Sequence, residues 1–445
     1  MALNNCIENI RKFLHTPKKE STDNMFRVTV VAFEDKCNFN CGQRFAELLK
    51  KDPLFDVNYF TEQFPKGFLN MQGRNFFDFV DRGEQILKST QSDILIWGYE
   101  DNGKIRLNFQ VSNQYLIPNT ISFSLLDSLF IPLNYFTDIN NFSASMLLII
   151  CGIIIAAIHP VTNDQRKYRP FLLNDILQMI SADSTPKDIT LEYMPYIMNM
   201  LGKIYLCNKK DILNSNDIKI IHQLFEIALK NKELISSPIF LGCLYNNLGQ
   251  LHENAFLMNR QDNFMHLKQA IKSYQQAKKY LTRNYPYDYA LNAYRLSGLY
   301  FEFWKYNSDI QALRDAVSQL REAEKIYSPN QFTNSWCHLQ SLLGYYLTSL
   351  GMATKSNEVM QLAINSYKNQ QKFFEQQIHP ITWADIQERI GRIYYLLGKQ
   401  NDDDNFMYEA RNYFNSALNV YEELKMKDYI KQTQKSLAKV KNYID

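Results

Sequence analysis

The sequence predicts a mainly α chain: an α-solenoid of stacked helix pairs, preceded by a small α/β domain. Three observations carry this expectation. A glycine recurs in the middle of an apolar helical face, as Gly202, Gly249, Gly298, Gly344 and Gly391, at spacings of 47, 49, 46 and 47 residues. A second helical segment follows each of the last four, with anchors at i, i+4 and i+7: Ala270, Tyr274, Ala277; Ala316, Leu320, Ala323; Ala363, Tyr367, Gln370; Ala410, Phe414, Ala417. Ala270, Ala316 and Ala363 each lie 28 residues before the next glycine, so the two segments form one repeating unit. Ahead of the array, from Phe26 to about Phe136, the pattern changes to short β-branched runs between helical ones.

Residues at i, i+4 and i+7 share one helix face. Small residues at the ends let a neighbouring helix approach, and the large residue between them fills the gap. A mid-helix glycine costs about 1 kcal/mol relative to alanine, so its recurrence points to close helix contact. One pair cannot bury its faces alone, and pairs therefore stack.

Taken in order, residues 1–25 begin with an amphipathic stripe of Leu3, Ile7, Ile10 and Leu14 and end in a polar linker. The stripe is read as packing on its own protein. In the α/β module, 26–136, RVTVVAFE and DVNYF read as strands and GQRFAELLKK and RNFFDFVDRGEQILKST as helices. SDILIWGYE and KIRLNFQV form a hairpin around Glu100-Asp101-Asn102-Gly103. The order βαβαββ implies a parallel sheet with an antiparallel edge. Replacement of Gly103 by alanine is expected to be mild.

Residues 137–194 read as a helical connector or degenerate first repeat. Phe142–Ile158 is the most apolar stretch, but its 17 residues fall short of the ~20 a membrane span needs. Gly152 lies 50 residues before Gly202, and FLLNDILQMI would be the second helix of that pair. All-round apolarity then follows if the α/β unit covers one side and the array the other. Repeats occupy 195–427. Residues 428–445 form a capping helix, whose Lys431, Lys435, Lys439 and Lys441 make a wet face.

The repeat residues resemble the tetratricopeptide family. Its first-helix signature appears as Trp383, Ile390, Gly391 and Tyr394, and again as Trp336, Leu343 and Gly344; its second-helix signature appears as Ala410, Phe414 and Ala417. The resemblance covers about five repeats. The unit here is longer than the family's standard one and looks like a long-repeat bacterial subgroup. The resemblance implies a right-handed solenoid whose first helices line a concave, partner-binding face. Carried over residue by residue, that face holds Asn199, Lys203, Asn246, Gln250, Arg295, Glu302, Tyr345, Glu388 and Arg392. Its mixed sign suits a polar peptide or helix laid along the groove. Arg295 and Arg392 are expected to face away from the second helices, and Lys435 to lie outside the groove.

Composition adds exclusions. A net charge of +3 on 445 residues, with basic and acidic groups interspersed, gives no nucleic-acid footprint. Seven irregularly spaced cysteines favour reduced, buried thiols in a cytoplasmic protein. Cys37 and Cys41 begin like an iron–sulfur loop, but Arg44 stands where a third thiolate is needed. The loop FEDKCNFNCG lacks either familiar phosphate-binding glycine pattern. Its position after the first strand makes Glu34, Asp35 and Lys36 the best ligand-binding candidates if one is bound. The seven histidines form no metal-ligand spacing, and no nucleophile elbow occurs. The reading is a non-enzymatic scaffold that binds another protein, with no cofactor, metal or nucleic acid. Two alternatives stay open: a ligand-sensing regulator using the α/β module, and a membrane-tethered adaptor using 142–158.

Overall fold

In the computed structural model the chain is mainly helical, with a small N-terminal five-stranded sheet. The structure describes residues 25–36, 39–52, 55–63, 74–112, 116–117, 129–138, 142, 144–158, 191–208, 213–260 and 263–444. They fall into two compact units, one within residues 1–115 and 120–292 and the other within 116–119 and 293–445. The expected N-terminal stripe and the FLLNDILQMI helix lie outside the described residues.

Unit 1 opens with the sheet. β1 (Phe26–Ala32) lies between β2 (Phe55–Gln63) and β3 (Ile94–Asp101), and both pairings are parallel. β4 (Lys104–Val111) returns antiparallel to β3, with Asp101 opposite Lys104. Asn102 and Gly103 make that turn at φ 50° and 73°. Both are left-handed, as a two-residue hairpin with the strand's own twist requires. The turn revises one expectation: space is open around Gly103, but alanine at that φ is strained by about 1–2 kcal/mol. A fifth strand, β5 (Leu129–Pro132), pairs antiparallel with β4 at the sheet's edge. Sequence patterning passes over it because it has four residues and ends in proline, which only an edge strand tolerates.

α1 (Cys41–Leu49) packs on β1 and β2, and α2 (Arg74–Thr90) on β3 and β4. The apolar α3 (Ala144–Ile158) packs on β3 and β4 and also on α4 (Met194–Asn208). Buried contact on more than one side is why its apolar residues do not segregate to one face. Met146, Ile149, Ile150, Cys151 and Ile154 are all fully buried. Among the described residues no helix is long and apolar enough to cross a membrane. α4 packs on α5 (Ser215–Lys230), and α6 (Pro238–Met258) on α7 (Phe264–Lys278).

α8 (Pro286–Asn307) contains the division between the units. In unit 2, α9 (Ile310–Glu324) packs on α10 (Thr333–Thr354), α10 on α11 (Asn357–Gln371), and α12 (Pro380–Asn401) on α13 (Asp404–Glu423). α14 (Lys427–Ile444) closes the unit against α13. Ile117 belongs here too: it is buried, its N–H donates to Ser335 Oγ at 3.0 Å, and that hydroxyl donates back to its carbonyl at 3.1 Å.

The recurring glycines meet the recurring rings. A Cβ at Gly202, Gly249, Gly344 or Gly391 would stand 2.5, 3.0, 2.6 or 3.1 Å from the ring of Phe225, Tyr274, Tyr367 or Phe414 respectively. Each of these rings is buried, and burial of such a side chain stabilises by about 1.5–3 kcal/mol. Gly298 departs from the set, since nothing lies within 4 Å of its Cβ position. α8, α10 and α12 start and end 47 residues apart, so buried Ser297 holds the place of Gly344 and Gly391, and Gly298 lies one position off the contact face. The turns repeat as well. Ser308, Lys355 and Asp402 are left-handed at φ 56°, 53° and 53°, and the next residues, Asp309, Ser356 and Asp403, cap α9, α11 and α13 with their side-chain oxygens.

Candidate functional site

In unit 1 the first-helix candidates point mostly inward. Asn199 is buried on α4, and its Oδ1 accepts from Asn247 Nδ2 at 2.7 Å. Asn246 is buried on α6, and its Oδ1 accepts from Asn292 Nδ2 at 2.8 Å. The same Asn292 amide donates to the Tyr274 carbonyl at 3.1 Å. These amides tie successive first helices together. Buried amide pairs of this kind hold register, because breaking one leaves a polar group unsatisfied at a cost of about 1–3 kcal/mol. Lys203 is also buried, and Gln250 is half-buried.

In unit 2 the candidates divide. Arg295 is half-buried with its Nε inside. Glu388 is buried; it accepts from Arg392 Nη2 at 2.5 Å and from Gln432 Nε2 at 3.4 Å. Arg392 keeps half of its side chain in solvent. Glu302 is half-buried and holds Lys305 at 2.8 Å. Tyr345 is 47% exposed. It stands 5.1 Å by ring centroids from buried Phe301, which also stacks on Tyr346 at 4.2 Å and meets Trp304 at 5.2 Å. α8 and α10 therefore present the solvent-facing ring of Tyr345 on a base of packed aromatic rings, with Glu302 on α8 next to Phe301.

The sequence reading missed a cleft of about 330 Å³ between α12, α13 and α14. Arg392 and Tyr395 line one side, Phe414 the floor, and Gln432, Lys435, Ser436 and Lys439 the other. Lys435, expected outside the groove, lines the same cleft as Arg392. The i, i+4 lysine spacing was visible, but a wet cap explained it equally well.

The α/β candidates lie together after β1, held by local contacts of backbone and side chain. Asp35 Oδ2 accepts from the Cys41 N–H at 2.8 Å and so satisfies the start of α1. The Lys36 N–H donates to Glu100 Oε2 at 2.7 Å, and Glu34 bridges to Tyr99. Burial and the neighbouring Asp35 push the Cys41 thiol well up, so it is a poor thiolate ligand. Cys37 lies outside the described residues. Arg44 donates to the carbonyls of Phe136 and Thr137 and so anchors the segment after β5.

Three histidines, solitary in sequence, cluster in unit 1. His252 Nδ1 lies 3.1 Å from His266 Nδ1, and the His222 ring is 5.3 Å from that of His252. Among the described residues no group of three or more His, Cys, Asp or Glu side chains is arranged to hold a metal. Burial, then the neighbouring His222 and His266, lowers the His252 pKa from 6.5 to about 3. Glu226 flanks His222 at 3.9 Å. A histidine depressed on folding is protonated more readily in the unfolded chain, so its contribution is complete above about pH 6.5 and falls as pH drops toward 3. Acidification from pH 7 to 5 should cost about 2 kcal/mol through His252. Urea melts at the two pH values test this: His252→Asn should flatten the dependence, and an unchanged slope would contradict it.

No family model matches this chain, and no curated protein sequence matches it either.

Proposed function

We propose that the chain is a non-enzymatic scaffold: a right-handed, tetratricopeptide-like solenoid of a long-repeat bacterial kind, whose first-helix face binds a peptide or helix of another protein. The observation that carries this is Tyr345, 47% exposed on the first helix α10 and braced by buried Phe301. Interface hot spots are enriched in tyrosine, and a ring already fixed by its neighbours loses little entropy on binding. Glu302 and Arg392 give the same set of helices polar groups of both signs. Buried Glu388 holds Arg392 in place, and in unit 1 the buried Asn199 and Asn246 hold successive first helices together. The buried, free thiols of Cys41, Cys151, Cys243 and Cys337 support a reducing, cytoplasmic location.

Quantitative affinity capture from the native cell tests the reading, with the full chain as bait. Tyr345→Ala should reduce recovery of a specific partner at least tenfold, whereas Leu362→Ala, 43% exposed on the second helix α11, should leave it unchanged. Equal recovery with both variants, or no specific partner, would overturn the proposal.

A further inference from the structure

The cleft at the end of unit 2 is lined by three cationic side chains. The whole sequence carries only +3, yet Arg392, Lys435 and Lys439 line this one opening and no acidic side chain does. Glu388 stands behind Arg392, holding one guanidinium nitrogen at 2.5 Å and leaving half of that side chain in solvent. Among the described residues neither Lys435 nor Lys439 forms an ion pair or side-chain hydrogen bond. The helix offers them no relief: from Lys431 to Lys441 α14 contains no acidic residue, and Lys431, Lys435 and Lys439 repel one another at i, i+4 spacing. Gln432 and Ser436 add neutral donors between the cations, and Phe414 and Tyr395 supply an apolar floor.

We propose that this cleft binds a phosphate monoester. A dianion matches the surplus charge better than a singly charged carboxylate does. Arginine supplies a planar fork and lysine mobile point charges, the pairing suited to phosphate oxygens. Glu388 holds the Arg392 guanidinium in place before the ligand arrives. The cleft's 330 Å³ exceeds what a phosphate group alone occupies, and the floor leaves a place for the ester carbon group beside Phe414 and Tyr395. This inference shares Arg392 with the first-helix face but does not rest on the partner reading, and phosphate binding is read without the partner, so loss or retention of partner capture does not decide it.

Calorimetric titration of the full chain with phenyl phosphate at low salt is the test. Saturable one-to-one binding is expected, weaker at higher salt, at least tenfold weaker in Lys435→Gln/Lys439→Gln, and tighter than benzoate. Both lysines are exposed, so the double variant should melt like the parent, and the melt is measured alongside. A short phosphotyrosine peptide distinguishes the source of the ester: tighter binding than phenyl phosphate places it on a protein, and equal binding on a small molecule. Absence of saturation, or equal affinity in the double variant, overturns the site. Benzoate binding as tightly as phenyl phosphate overturns the choice of phosphate.

Discussion

Gly344→Leu is expected to lower stability by about 3 kcal/mol or more, enough to unfold the α10–α11 pair in dilute denaturant, while Gly298→Ala raises stability by up to about 1 kcal/mol. The two glycines recur at nearly the repeat spacing, but Gly298 sits one position beyond the place that Gly344 holds in α10, and they differ in what faces them. Even a methyl group at Gly344 would stand 2.6 Å from Tyr367 Cε2 and Cζ, inside any real carbon contact. Tyr367 is buried and cannot swing away, so the two helices must separate and the ring loses its packing. At Gly298 the Cβ position is empty to 4 Å, and alanine recovers helix propensity without a clash. Denaturant midpoints of the two variants provide the check. Similar destabilisation by both would mean that the glycines are retained for some reason other than the facing ring.

Arg392→Glu should destabilise unit 2 by about 2 kcal/mol. Glu388 is 5% exposed at its side chain and depends on Arg392 for its principal hydrogen bond. Removing one partner of a buried pair typically costs ~3–5 kcal/mol; half of the Arg392 side chain is in water, which reduces the figure. The variant also sets a second carboxylate against the first. Glu388→Gln should therefore rescue Arg392→Glu by at least half of its loss in a double-mutant cycle, and additive losses would contradict the coupling. The same geometry shows why charge reversal at Arg295 and Arg392 together cannot separate binding from folding: one has its Nε inside the protein and the other holds a buried carboxylate.

Much of the chain's organisation was legible because it rests on local rules. The hairpin turn at Asn102-Gly103, the parallel order of β1 to β3 and the helix pairs all follow from period and turn chemistry. The glycine spacing located the close contacts, and the structure adds a second set that escaped notice. Gly351 and Gly398, 47 residues apart, face Met360 and Met407 at 2.6 and 2.9 Å, while Trp304 stands at the equivalent place in α8. The site was less legible. A family register assigns a residue to a helix face, but the approach of the neighbouring helix decides whether that face is wet. Asn199 and Asn246 sit where successive first helices meet, and their amides are spent on Asn247 and Asn292. Likewise His252 and His266 are 14 residues apart in sequence, and only the packing of α6 on α7 brings them together. The cleft around Arg392 needed the capping helix to be docked before its lysines could be seen to share a space.

Site-specific photo-crosslinking tests the partner-binding face most directly. A benzophenone side chain is placed at Tyr345 on α10, and in a second variant at Leu362 on α11, and each chain is irradiated in the native cell. Binding through the first helices predicts a discrete crosslinked partner from position 345 and none from position 362. The same adduct from both positions, or an adduct from position 362 alone, would contradict it.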